Sequence, residues 1–283
     1  MTEWTETYRG TVAPWECDVT EHFTVAYYFD RIEQAAALLA DRLEIGENLR
    51  AGIFPRRFNL RFARELRAGT SFHIESAAIG LDPMLRLGHR VVASAGGETA
   101  TWAEEIWESP FAALSAARRE AIGAALAGWD APPSEPRPDP ATMAGAVPAA
   151  RGRVRPADLD ELGHLSLAGF VHRFTDALLQ AIAAIGLTGE YMQAQRRGFS
   201  TFELGLRIIA APRHGEQYLV ETGIAHLGSS SIRFVHRMTD PRTGNELARL
   251  GQFGVQLDLD ARRPAPLAAE IRAAAAPLLL SSS

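Results

Sequence analysis

Pro14-Trp-Glu-Cys-Asp18-Val-Thr-Glu-His22-Phe-Thr24 returns later in the chain as Pro156-Ala-Asp-Leu-Asp160-Glu-Leu-Gly-His164-Leu-Ser166, displaced by 142 residues. Over the 24 positions from Pro14 to Ala37 the same offset preserves Pro14/Pro156, Asp18/Asp160, His22/His164, Ala26/Ala168, Arg31/Arg173 and Ala35/Ala177. Unrelated segments of this length would share roughly one or two. A solenoid unit runs roughly 20 to 50 residues, so a period this long implies that each copy is a folded domain. A chain of 283 residues holds two domains of ordinary size.

Composition narrows the function. Hydrophobic residues make up 47% and charged residues 22%, the proportions of a globular protein with enough apolar mass for two cores. The net charge of −5 and the lack of a basic stripe argue against nucleic acid as a partner. All 29 basic residues are arginine. Without lysine there is neither a P-loop nor a Schiff-base nucleophile. Cys17 is the only cysteine, which excludes an intrachain disulfide and a cysteine-based zinc site. Met1 to Glu6 lacks the basic-then-apolar pattern of a secretory signal, and no apolar run approaches the roughly 18 to 20 residues of a membrane span. The expected location is the cytoplasm, with no membrane partner.

The expected organisation is an N-terminal domain over 1–130, a Pro/Ala-rich linker over 131–149 and a C-terminal domain over 150–283. The region from Trp129 to Pro148 is dense in proline and small residues and reads as an extended, semi-rigid connection. Each half begins with a short strand (Glu6 to Val12; Ala150 to Val154), passes through the Asp/His loop and enters a long helix (about 24–43; about 166–187). Val25, Tyr28, Ile32, Ala35, Ala36, Leu39 and Leu43 fall at three- and four-residue spacing, as do Leu167, Phe170, Phe174, Ala177, Leu178, Ala181 and Ile185. Four strand-like stretches follow in each half: 57–62, 71–79, 86–93 and 98–107, then 201–209, 217–224, 231–238 and 246–257. Turns such as Ala95-Gly-Gly-Glu and Asp240-Pro-Arg-Thr-Gly-Asn separate them. One long helix and one antiparallel sheet, twice, is an α+β plan.

These residues resemble the hotdog-fold acyl-CoA and acyl-ACP thioesterases, in which an antiparallel sheet wraps one long helix. That family's loop carries an Asp four residues before a Gly-His pair. Asp160-Glu-Leu-Gly163-His164 matches it, whereas Asp18-Val-Thr-Glu21-His22 has Glu21 where glycine is usual. Many relatives have Asn-Asn after the histidine, and here Thr24-Val25 and Ser166-Leu167 follow instead. The resemblance covers nearly the whole chain outside the linker and implies two tandem hotdog domains. It further implies an internal pseudo-dimer, which could pair again as a homodimer, and an acyl-CoA or acyl-ACP substrate with no separate cofactor.

Thioester cleavage needs a positioned base or nucleophile and donors for the developing oxyanion. Asp18 and Asp160 are the candidates for general base or nucleophile, with N–H groups near Val25 and Leu167, at the positive ends of the helices, as oxyanion donors. His22 and His164 would orient the carboxylate or meet the thioester. A metal is not expected, because no third or fourth ligand is evident. Thr24 and Ser166 read most simply as N-caps, with hydroxyls that could touch the attacking water. Arg56-Arg57 and Arg196-Arg197 open the first long strand of each sheet and would suit coenzyme A phosphates. Each residue also has a structural reading: Asp as a turn acceptor, His as a loop anchor, Arg as a solvated strand edge. His89-Arg90 and His236-Arg237 match between the copies too. Two other functions use the same fold, namely enoyl thioester hydration or dehydration and non-catalytic acyl-thioester binding.

Overall fold

The computed structural model describes residues 4–18, 21–50, 55–108, 114–133 and 137–281. It divides into two compact units: Met1–Ser134 with Ser166–Ala168 and Arg207–Ala210, and Glu135–Leu165 with Gly169–Leu206 and Ala211–Ser283.

Unit 1 contains β1 (Thr5–Thr11), α1 (Val25–Arg42), α2 (Gly46–Arg50), β2 (Arg56–Phe62), β3 (Ser71–Gly80), β4 (Leu85–Ala93), β5 (Glu98–Trp107) and α3 (Ala116–Ala124). Its strands run in the order β1-β3-β4-β5-β2, every neighbouring pair antiparallel. Helix α1 buries Ala26, Tyr28, Phe29, Ile32, Ala35, Ala36, Leu39 and Ala40 and packs on β1, β3 and β4. Val25 and Leu43, expected on this face, are only half-buried, because one starts the helix and the other lies just past its last residue. Leu39, Ala40 and Ile45 close a core with Ala78, Leu85, Leu87 and Trp107.

Unit 2 repeats the plan with β6 (Val147–Arg153), α4 (Leu167–Ala184), α5 (Gly189–Ala194), β7 (Arg197–Ile208), β8 (Gln217–Leu227), β9 (Ser231–Thr239), β10 (Glu246–Asp258), the two-residue β11 (Arg263–Pro264) and α6 (Ala269–Ala275), the first two residues of α4 and the last two of β7 being counted with unit 1. The strand order is β6-β8-β9-β10-β7, with β11 on β10. Leu178, Ala181, Ile182 and Ile185 pack on Ile224, Ile232 and Phe234, and Ile271, Ala275 and Leu278 from the C-terminal segment join them. β1 and β6, and α1 and α4, start and end at the same 142-residue offset seen in the sequence.

The proline-rich connection lies against arginines. In unit 1 Trp129 stacks on Trp4 at 6.1 Å, Asp130 accepts from Arg90 Nε at 2.9 Å, and Arg61 donates to the Pro132 and Pro133 carbonyls. In unit 2 Arg233 donates to the Arg137 carbonyl (2.7 Å) and to Asp139 (3.0 Å). Proline supplies acceptors and no donors, so guanidinium forks suit such a segment. Positions 134–136 of the connection lie outside the described residues. Among the described residues no helix is long and apolar enough to cross a membrane.

Candidate functional site

Among the described residues the two loops repeat the same contacts around their aspartate. A 3₁₀ turn (Pro14–Glu16; Pro156–Asp158) delivers the chain to the aspartate. Asp18 N donates to the His22 carbonyl at 2.9 Å and Asp160 N to the His164 carbonyl at 2.8 Å. The side chain turns back on the same loop: Asp18 Oδ1 accepts from His22 N at 3.2 Å, and Asp160 Oδ1 accepts from Leu162 N and His164 N, both at 2.9 Å. The bond from Leu162 N to Asp160 makes an Asx turn, for which aspartate is among the favoured residues. Oδ2 of Asp160 takes no partner among the described residues. Asp18 is exposed and Asp160 half-buried.

The residue before each histidine has positive φ, 65° at Glu21 and 77° at Gly163. Glycine enters that region freely and a side chain is strained there. The departure at Glu21 is therefore absorbed by a strained backbone, which keeps the positive φ that Gly163 has in the other copy.

The loops are pinned beyond themselves as well. Phe23 N donates to Leu66 O and Leu165 N to Pro212 O, each at 2.8 Å. His22 Nε2 lies 3.0 Å from Glu65 Oε2; the matching segment of unit 2 has Ala211 just before Pro212, and no carboxylate there. Thr24 is the N-cap of α1 by position, yet its side chain makes no capping bond, contrary to the sequence expectation. Its hydroxyl does not reach the first-turn N–H groups, while its backbone N donates to the Glu16 carbonyl at 2.9 Å. Val25 and Leu167 begin their helices, and Ser166 precedes Leu167. Leu167 N, within unit 1, lies 3.4 Å from Glu33 Oε1, a neighbour that the sequence did not suggest.

The four arginines read as phosphate ligands all meet carboxylates. Arg56 is buried and donates through Nε to Glu105 Oε1 at 2.9 Å. Arg57 pairs with Glu108 (2.6 Å), Arg196 with Asp260 (2.8 Å) and Arg197 with Asp258 (2.7 Å). His89 and His236 lie fully inside their units, with Nδ1 on Ser76 (2.7 Å) and Thr222 (2.8 Å). Burial pushes His236 down to about 3. Burial alone would raise Glu105, but Arg56 and then His89 outweigh it and hold that carboxyl at about 2.

A long helix beside a five-stranded antiparallel sheet, built twice with an Asp/His loop before each helix, defines a tandem hotdog protein. Residues 154–275 match the family model of the thioesterase-like superfamily. No curated protein matches the chain. An acyl-ACP thioesterase from Bacteroides thetaiotaomicron is similar in structure, with a TM-score of 0.64 at 12% identity, covering 87% of this chain and 96% of its own. The 12:0-ACP thioesterase from Umbellularia californica gives 0.60 at 14% identity, covering 91% and 93%. At such identities the likeness speaks for the fold. The match to the thioesterase-like superfamily thus falls on the second half, residues 154–275, while the tandem hotdog fold extends over both halves.

Proposed function

We propose that the protein hydrolyses acyl thioesters carried by coenzyme A or an acyl carrier protein, and that the loop from Asp160 to His164 performs the chemistry. The observation behind this reading is the unequal use of the two Asp160 oxygens. Oδ1 is anchored by two backbone N–H groups, which fixes the carboxylate, while Oδ2 is without a partner among the described residues. An anchored carboxylate with one open oxygen suits a general base. Oδ2 takes a proton from water as the water oxygen adds to the thioester carbonyl carbon. N–H groups in the first turn of α4 beyond Leu167, whose own N–H faces Glu33 Oε1, receive the oxyanion. Collapse breaks the C–S bond, Asp160 returns its proton to the departing sulfur, and a fatty acid and a thiol result. His164 borders the same turn and would meet the thioester group.

The first loop is the weaker candidate, since Asp18 is exposed and Glu21 is strained. The family match is also confined to 154–275. Arg57, Arg196 and Arg197 sit where phosphates could reach them, whereas Arg56 is buried under Glu105 and is left out of that role. Thiol release from short, long and aromatic acyl-CoA substrates tests the reading. Wild type and Asp18→Asn should release thiol and Asp160→Asn should not. Loss confined to Asp18→Asn, or no release from any substrate, would remove it.

A further inference from the structure

The repeat keeps Arg31/Arg173, an identity that no acid/base role accounts for. In unit 2, Arg173 projects from α4 and its Nη2 lies 2.7 Å from Asp158 Oδ1, with 12% and 11% of the two side chains exposed. Asp158 is the last residue of the 3₁₀ turn and stands two residues before Asp160. Its Oδ2 also accepts from Arg155 N at 3.1 Å, closing that turn. The guanidinium carbon lies 5.7 Å from the centre of the Tyr218 ring. The Tyr218 hydroxyl in turn occupies the space a Cβ would need at Gly152, 2.6 Å away.

Unit 1 builds the same assembly from partly different residues. Arg31 pairs with Glu16, which closes the first 3₁₀ turn by accepting from Ala13 N at 2.8 Å. Its guanidinium carbon lies 5.6 Å from the Tyr8 ring centre, and the Tyr8 hydroxyl is 2.7 Å from where a Cβ of Gly10 would be. Gly10 and Gly152 share the 142-residue offset, but the tyrosines do not: Tyr8 comes from β1 and Tyr218 from β8. The carboxylate also differs, Glu in one copy and Asp in the other. When one arrangement is reached with a non-equivalent tyrosine and a changed acid, the geometry is what both copies share. That geometry ties the helix to the turn that carries the aspartate.

From this we infer that Arg173, through Asp158, is a positioning residue for thioester hydrolysis. It holds the turn leading to Asp160 against α4, so that the base and the helix N–H groups keep a fixed separation. An error of about 1 Å in such a separation can lower a rate by roughly 10²-fold. Tyr218 and Gly152 form the seat for the guanidinium. This inference rests on the proposed role of Asp160.

The test compares Arg173→Met, Asp158→Asn and Asp158→Glu with wild type in the full chain. Thiol release from hexanoyl-CoA and palmitoyl-CoA is measured together with hydrogen exchange of peptides covering residues 156–165. Arg237→Met, which breaks an ion pair with Glu221 elsewhere in the same unit, serves as the control. The expected result is a fall in kcat of about 10- to 100-fold for Arg173→Met and Asp158→Asn. KM should stay within about threefold, and exchange at 156–165 should rise while the β8 and β9 peptides stay protected. Asp158→Glu should keep most of the activity, because unit 1 uses Glu in that place, and the double variant should be no worse than either single one. The idea is overturned if kcat stays within about twofold, or if Arg237→Met lowers it equally. Should wild type hydrolyse neither substrate, the functional reading fails on its own. Unchanged exchange at 156–165 in Arg173→Met then still overturns the brace.

Discussion

Arg56 and Glu105 form an ion pair that water barely reaches, with Nε 2.9 Å from Oε1 and side chains 9% and 0% exposed. Arg56 Nη2 donates to the same Oε1, and Trp107 Nε1 adds a third donor at 2.6 Å. Removing one member of such a pair leaves an uncompensated buried charge, which costs about 3–5 kcal/mol, whereas apolar replacement of both is often nearly neutral. Unit 2 shows that the fold does not require the charges. Glu105 faces Leu87, two residues before His89, and Gln252 faces Phe234, two residues before His236. There a neutral amide meets Thr201 Oγ1 at 2.5 Å. Glu105→Gln alone should therefore lower stability by about 3–5 kcal/mol, and Arg56→Met with Glu105→Leu should recover most of it. Urea unfolding followed by tryptophan fluorescence measures both, and equal losses in the single and double variants would contradict the argument.

His236 and Glu105, both fully buried, set different acid limits. His236 is held at about 3 against an ordinary 6.5. Between those values the unfolded chain takes up a proton that the folded one refuses, so stability is full above 6.5 and is lost as pH falls. Glu105, at about 2 against 4.5, behaves in the same sense but only below 4.5. Of this pair His236 alone acts between pH 6 and 5, where it should give a slope of about 1.4 kcal/mol per pH unit. His236→Gln should flatten that window and leave the loss below pH 4.5 in place. Melting temperature against pH reads the difference.

Much of the fold was legible because periodicity reports burial directly. The four long strands of each half fall within a few residues of their expected places, and all seven apolar positions expected of α4 and its end are buried. β6 begins at Val147, ahead of the expected Ala150, since proline is tolerated at the start of an edge strand. The short α2, α3, α5 and α6 went unseen because they carry too few turns to show a period. The site was only partly legible. The Asp/His spacing could be read, but the inward turn of Arg56 depends on which strand face meets the core, and a two-residue period fixes that only once register is known. Arg173 was visible as an identity, while its acid and its tyrosine come from a turn and a strand 15 residues before it and 45 residues after it.

Gly163 and Glu21 offer a matched test of backbone strain. A Cβ at Gly163 meets no atom within 4 Å, so Gly163→Ala should cost only the conformational penalty of about 1–2 kcal/mol. Glu21→Gly removes the corresponding strain but frees the unfolded chain, for a net gain of about 0.5–1 kcal/mol. Opposite shifts in melting temperature are expected, and two shifts of the same sign would exclude this account.

Caps of like sequence should behave unlike one another. Thr188 Oγ1 accepts from Tyr191 N at 3.1 Å, whereas Thr24 makes no such bond. Thr188→Ala should then lower stability by about 1 kcal/mol and Thr24→Ala by no more than a few tenths. Chemical denaturation of the two variants distinguishes them.

Asp160 has two duties that substitution can separate. Its Oδ1 closes the loop on Leu162 N and His164 N, and an asparagine keeps an oxygen in that place. Its Oδ2 is the proposed base, and an amide nitrogen cannot take up the proton. Asp160→Asn should thus leave the melting temperature within about 2 °C of wild type while kcat falls about 10²- to 10⁴-fold. Asp160→Ala removes both duties, and losing the two loop bonds should lower stability by about 1–3 kcal/mol as well. If Asp160→Asn destabilises as much as Asp160→Ala, the loop depends on the charge rather than on the acceptor. If Asp160→Asn keeps full activity, the carboxylate is a turn-former and the base lies elsewhere.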